Sequence, residues 1–182
     1  NQSLQHLDVR SNGITSTSTL CLQGLMTGSL HLVGLNVSNN DLSDLGATAL
    51  ARGLTNRSCH LKKLDLNSNS VGSSGASAMA AMLRVNQTLE ELNLSFNNIG
   101  DQGASEIATA LQRNNTLRWL NLRRNAIGNV GAKVIAENLP KMPALKELLL
   151  SKNQIGHAGA SALLDGLRHN MELEYLHVED KV

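Results

Sequence analysis

Aromatic residues are nearly missing from this sequence, which holds one Trp, one Tyr and one Phe among 182 residues. An aromatic core is thereby excluded, and with 41% hydrophobic residues the interior must be built from Leu, Ile, Val and Ala. Cysteine is as scarce. Cys21 and Cys59 make no disulfide framework, and two free thiols in a reducing, cytoplasmic compartment are the expected state. Charge of one sign is also lacking, since 16 Lys+Arg face 15 Asp+Glu for a net charge of +1. That balance argues against a dedicated nucleic-acid binder, whose affinity rests on net positive potential. No run of about 18 apolar residues occurs, and no signal-peptide pattern, so no membrane insertion is expected. Low-complexity tracts and charge blocks are missing too. Residues 1–182 therefore read as a single domain, and the lack of an initiator Met suggests a fragment of a longer protein.

What the chain does contain is a period. "LEELNLSFNNIG" at 89–100 returns 28 residues later as "LRWLNLRRNAIG" at 117–128. The same frame opens at Leu4, Leu32, Leu61, Leu89, Leu117, Leu145 and Leu173, with one extra residue in the second unit. No such unit can bury its apolar face alone, so the units must stack.

Each unit begins with alternation, as in Leu89, Leu92 and Leu94, which predicts a short strand with one face buried. Asn12, Asn40, Asn69, Asn97, Asn125 and Asn153 follow at one position, where a side-chain amide can bond backbone groups left unpaired by a turn. They are expected to stack as a buried structural ladder. Asp44, Ser73, Asp101 and Asn129 then occupy a helix-capping position, with the weaker His157 in the sixth unit. Beyond it, Ala104, Ile107, Ala108 and Leu111 recur at helical spacing. Gly75, Gly103, Gly131 and Gly159 are expected to let helices lie close to the strand layer. Pro140 and Pro143 fall together in one helix-to-strand connection, where a helix should stop. Asn-x-Ser/Thr triplets at Asn36, Asn56, Asn86, Asn93 and Asn114 carry little weight as signs of secretion, because the repeat itself creates some of them.

The motif LxxLxLxxNxIGxxGAxxLAxxL, seen in "LKKLDLNSNSVGSSGASAMAAML" and "LKELLLSKNQIGHAGASALLDGL", resembles the leucine-rich repeat in its 28/29-residue ribonuclease-inhibitor-like subclass. The resemblance implies an α/β fold: a right-handed curved solenoid, or horseshoe, of about six and a half repeats, with parallel strands concave and helices convex. The first unit departs from the motif, having Thr15 and "TSTSTLC" where the helix should begin, which puts its helix in question. The last unit has Lys181 where the asparagine belongs.

In such a solenoid the non-repeating positions form the surface a partner reads. Phe96, Trp119 and Tyr175 all occupy such positions, and exposed aromatics beside arginines dominate interface energetics. The candidate binding residues are Phe96, Arg118, Trp119, Asn121, Arg123, Arg124, Lys152, Tyr175 and His177, with Phe96, Trp119, Arg123 and Arg124 forming the central cluster. A protein partner is expected. Nucleic acid ranks below it, because Glu174, Glu179 and Asp180 would repel phosphate. The six histidines are dispersed without metal-ligand spacing, and no phosphate-cradling loop or paired nucleophile and base is visible. No enzyme, metal or cofactor is therefore expected. Two finer readings come from resemblance. Similarity to the C-terminal repeat regions of NOD-like receptors implies a sensing or autoinhibitory role. Similarity to the Ran GTPase-activating proteins implies that Arg123 or Arg124 would assist a GTPase, although the acidic tail of that family is missing. The open edge of the last strand also makes self-association through a solenoid end an expectation.

Overall fold

The computed structural model describes residues 3–28 and 31–179. Asp180 and Lys181 lie outside the described residues. Among the described residues, seven three-residue strands alternate with six helices. The strands are β1 (His6–Asp8), β2 (Gly34–Asn36), β3 (Lys63–Asp65), β4 (Glu91–Asn93), β5 (Trp119–Asn121), β6 (Glu147–Leu149) and β7 (Tyr175–His177). The helices are α1 (Thr19–Gly28), α2 (Ser43–Leu54), α3 (Ser73–Leu83), α4 (Gly100–Leu111), α5 (Asn129–Asn138) and α6 (His157–Leu167). All strands pair in parallel, in sequence order, within one open sheet, and the register is constant: Leu35, Leu64, Leu92, Leu120, Leu148 and Leu176 align as successive partners. The result is a curved α/β solenoid.

Leucine does most of the packing. In the fourth unit Leu89, Leu92, Leu94 and Ile99 are fully buried, and Ala104, Ile107 and Ala108 of α4 close over them. Truncating one such leucine to alanine removes about 2–5 kcal/mol. The first unit does carry a helix, α1, despite its aberrant sequence. It begins after a 3₁₀ turn at Ser16–Ser18 and buries Leu22 and Met26 against the rest of the core. Asn138 ends α5, and Pro140 lies in a 3₁₀ turn at Leu139–Lys141 that leads back to the sheet.

The helix starts differ from expectation. None of Asp44, Ser73, Asp101, Asn129 and His157 stands as the N-cap of its own helix; each lies inside the first turn, after Leu42 or Ile99 or after Gly72, Gly128 or Gly156. Asp44, Asp101 and Asn129 instead reach the following unit. Asp44 Oδ1 accepts the amides of Gly72 and Gly75, Asp101 Oδ1 those of Gly128 and Gly131, and Asn129 Oδ1 those of Gly156 and Gly159. Caps therefore tie helices of neighbouring units together. Three of the glycines serve this contact more than the strand layer, since a Cβ on Gly75, Gly131 or Gly159 would fall 2.7, 2.6 or 2.9 Å from the capping oxygen, whereas one on Gly103 would meet Ile99 and Ala76 at 2.6 and 2.7 Å.

Two hydrogen-bond arrangements underlie the 28-residue period: the second and fourth units use one, and the third, fifth and sixth the other. The amide at the position of Gly72 must find an acceptor, and it does so in two directions. In the second and fourth units Ser43 and Gly100 take left-handed φ values of 55° and 66°, and their amides bond forward to the carbonyls of Asn69 and Asn125. In the third and fifth units Ser70 and Ala126 take the left-handed turn instead, and Gly72 and Gly128 bond backward to the Asp of the preceding helix.

Candidate functional site

The asparagine row lies at the turn that ends each strand. Asn69, Asn125 and Asn153 are buried, Asn40 and Asn97 are half-buried, and Asn12 is exposed because no described unit precedes it. Asn125 is typical: its Nδ2 donates to the carbonyl of Leu94 one unit back, and its backbone amide donates to Oδ1 of Asn153 one unit ahead. Neighbouring units are thus joined where the chain turns.

A second asparagine set is not among those expected from the sequence. Asn86, Asn114 and Asn170 each precede the opening leucine of a unit by three residues. Asn114 is 2% exposed; its Nδ2 donates to the carbonyls of Leu83 and Asn86, and its Oδ1 accepts the amides of Thr116 and Leu117. Their spacing is a usable signal, but Met142 breaks the series, and the Asn-x-Thr triplets at Asn86 and Asn114 point to glycan chemistry instead.

A third set sits on the strand face itself. Asp8, Asn36, Asp65, Asn93 and Asn121 end five consecutive strands, and each accepts the backbone amide two residues later at 2.9–3.1 Å. Asn121, a candidate contact residue, is therefore engaged locally, its Oδ1 fixing the turn that carries Arg123. Leu149 and His177 replace this residue type in the last two strands.

The open strand face is otherwise polar. Lys62 pairs with Glu90 at 2.8 Å, Lys63 with Glu91 at 2.7 Å, and Lys146 with Glu172 and Glu174 at 2.9 and 3.4 Å. A hollow of about 380 Å³ runs from His6 and Asp8 across Gly34, Lys63 and Glu91 to Trp119. Gly34 shapes it, since a Cβ there would meet the His6 ring at 2.5 Å. Trp119 also borders a second hollow with Arg118, Lys146 and Glu147. It is half-buried between the register partners Glu91 and Glu147.

The expected central cluster is divided. Arg123 and Arg124 lie over the ring of Phe96, 5.5 and 5.2 Å from its centre, in cation–π geometry. Among the described residues Trp119 takes no part in that stack; it stands in the middle of the face, whereas Phe96 and the arginines stand on the rim where the strands turn. Lys152 continues that rim one unit further, its amide bonded to the Glu179 carbonyl at 2.8 Å. Tyr175 and His177 form a separate pair on β7, their ring centroids 6.1 Å apart, with His177 Nε2 3.6 Å from Glu179. No group of three or more metal-ligating side chains is found among the described residues, and no described helix is long and apolar enough to cross a membrane.

A family model described as "Leucine Rich repeat" matches residues 1–18, 28–51, 57–80, 85–108, 113–136 and 141–164. The chain belongs to the leucine-rich repeat family. Among solved structures it is similar to leiomodin-1 actin-binding site 2, with a TM-score of 0.54 and 19% identity over 92% of this chain and 83% of that one. It is similar also to an internalin from Listeria monocytogenes, with a TM-score of 0.52 and 21% identity over 84% of this chain and 36% of that one. At such identities the likeness is one of fold. A comparison with curated proteins finds no match. Leucine-rich repeat chains commonly act as scaffolds for binding proteins or other ligands.

Proposed function

We propose that this chain is a non-enzymatic recognition module that holds a protein partner against its concave strand face. One observation carries the reading: the protein's three aromatic side chains all lie on that face or its rim, Phe96 39% and Tyr175 50% exposed and Trp119 half-buried, while the core is aliphatic. Rigid aromatics flanked by arginine supply large contact area at low entropic cost. The mixture of signs along the face suits a protein with complementary charges better than a continuous polyanion. The 28-residue spacing supports placement in the ribonuclease-inhibitor-like subclass, and with it a sensing or autoinhibitory region of a NOD-like receptor as the finer form of this reading.

The test is capture from a cell lysate, with and without nuclease, comparing the wild type with Trp119→Ala/Arg123→Glu/Arg124→Glu. A partner that survives nuclease and is lost with the variant supports the strand face; equal capture by both proteins removes it. A second reading is favoured by Arg123 and Arg124, which are exposed and have no carboxylate partner among the described residues. Such arginines are suited to assist phosphoryl transfer in a bound GTPase. Single-turnover GTP hydrolysis by small GTPases, unchanged on adding the chain, would dismiss that role.

A further inference from the structure

The rim beyond β4, β5 and β6 differs from the same rim over the first three units. There Ser11, Asn39 and Ser68 hold the left-handed position that ends each turn, at φ 57°, 54° and 51°, and Asn39 Nδ2 donates to Ser11 Oγ at 2.7 Å. Small polar residues of this kind tolerate that backbone. In the next three units the position carries Phe96, Arg124 and Lys152, at φ 55°, 53° and 59°. Three large side chains in succession thus occupy a conformation that disfavours them, and strain of this sort gathers at ligand sites.

We infer that this rim binds a phosphomonoester displayed on a segment of the protein partner, with Arg123 and Arg124 gripping the dianion above Phe96 and Lys152 completing the charge. The inference rests on the strand face being a protein-recognition surface. Lysines elsewhere on the face are already neutralised: Lys62, Lys63 and Lys146 each have a carboxylate within 2.7–3.4 Å. Arg123, Arg124 and Lys152 have none among the described residues. Two guanidinium groups stacked on one ring repel each other, and their planar forks match a phosphate in bidentate fashion. A single carboxylate would leave two of three cations unmatched, whereas a phosphomonoester carries about −1.5 to −2 at pH 7. Size separates a phosphopeptide from nucleic acid. The rim spans three strands spaced about 4.8 Å apart, roughly 10 Å in all, and it ends at Glu179 and His177. That footprint holds one phosphate and repels the run of phosphates on a nucleic-acid backbone.

The test is a titration of the ¹⁵N-labelled chain followed by NMR, using a capped pentapeptide with phosphoserine at its centre and alanine elsewhere. Parallel titrations use the serine and glutamate versions and a five-residue oligothymidylate. Saturable shifts centred on the amides of Phe96, Arg123, Arg124 and Lys152 are expected, with the serine and glutamate peptides weaker by about tenfold or more. Arg123→Gln/Arg124→Gln should abolish them while leaving the thermal transition in place, and Arg124→Lys should retain part of the affinity. Absent shifts, shifts centred elsewhere, or equal binding of the serine or glutamate peptide overturns the proposal; tighter binding of oligothymidylate gives the rim to nucleic acid and overturns it too. If the phosphopeptide fails while lysate capture is still lost in the triple variant, only the phosphate assignment falls. If capture is also unchanged, the strand-face reading falls with it.

Discussion

Oδ1 of Asp101, in the first turn of α4, accepts the backbone amide of Gly131 in α5 at 2.9 Å, across 30 residues of sequence. The same oxygen takes the amide of Gly128 at 2.6 Å. A residue type suited to capping its own helix caps its neighbour's, so the cap also acts as a tie between units. Asp101→Ala should therefore cost about 1–2 kcal/mol. Ser73→Ala, at the equivalent position of α3, should cost little, because no cap bond to the next helix is formed there. Urea unfolding at constant m-value measures both, and equal losses would refute the inter-unit account.

Asn114 carries a similar tie at the opposite turn. Replacing it with Ala leaves the carbonyls of Leu83 and Asn86 and the amides of Thr116 and Leu117 without their partner. A loss of about 1–3 kcal/mol is expected for stranding such buried groups. The same burial bears on glycosylation. An oligosaccharyltransferase should modify the unfolded chain at Asn114 and leave the folded chain unmodified; mass spectrometry before and after denaturation decides this, and modification of native protein would contradict the buried geometry.

These residues also show how far the fold is legible in the sequence. Leu89, Leu92 and Leu94 announce a strand, and Ala104, Ile107 and Leu111 a helix, because burial imposes their spacing directly on the sequence. Asn125 is legible for the same reason. Asp101 is recognisable as a cap but not as the cap of α5, since a cap's residue type does not reveal which of two adjacent helix ends its oxygen faces. The difference between the turns at Ser43 and Ser70 is invisible in the sequence, because the direction of one amide's hydrogen bond depends on the neighbouring unit. At the candidate site, the positions of Phe96, Arg123 and Arg124 in the repeat suffice to group them. Trp119 does not join that group: it shares a unit with the arginines, but lies on the strand itself and not at its turn. Asn121 has the position of a contact residue, although its oxygen is engaged by the Arg123 amide at 3.0 Å.

The two thiols should respond differently to a reagent. Cys59 is 3% exposed and burial pushes its thiol up from the ordinary value, with the Leu61 backbone acting weakly against it. Cys21 is exposed on α1. Since the thiolate is the nucleophile, an aromatic disulfide at neutral pH should titrate one thiol quickly in the native state and the second only on unfolding. Two fast equivalents would show that the second unit opens readily around Cys59.

Acid should weaken the strand face before it reaches the core. The Lys62 ammonium bonded to Glu90 holds that carboxyl below its ordinary value, against the opposing effect of burial and with help from Arg118 and Lys63. A carboxyl lowered by folding contributes stability above its unfolded value, about 4.3 for Glu, and loses it as pH falls through the lower folded value. The pair is largely exposed, so its contribution is below about 1 kcal/mol and is screened by salt. Glu90→Gln should flatten the decline in urea midpoint between neutral pH and pH 3, and 1 M salt should flatten it equally in the wild type. A decline unaffected by either change would place the acid sensitivity elsewhere.

The rim offers the sharpest separation of stability from recognition. Arg124 is exposed, has no carboxylate partner among the described residues and sits at φ 53°. Asn tolerates that backbone better than Arg, as Asn39 already does at φ 54° in the second unit. Arg124→Asn gives up one cation–π contact with Phe96, about 0.5–1 kcal/mol at an exposed site. Relief of left-handed strain returns about 1 kcal/mol. The thermal transition should thus stay within a few degrees of the wild type or rise. Partner capture should fall, because half of the guanidinium pair is gone. Arg113→Asn is the matched control: it removes an equal charge from an exposed position just after α4, off the strand face and away from the Phe96 stack. If both variants weaken capture equally, the net charge of the chain is what the partner reads, and the rim has no special standing. If only Arg124→Asn does so without loss of stability, the strained turn is retained for recognition and not for folding.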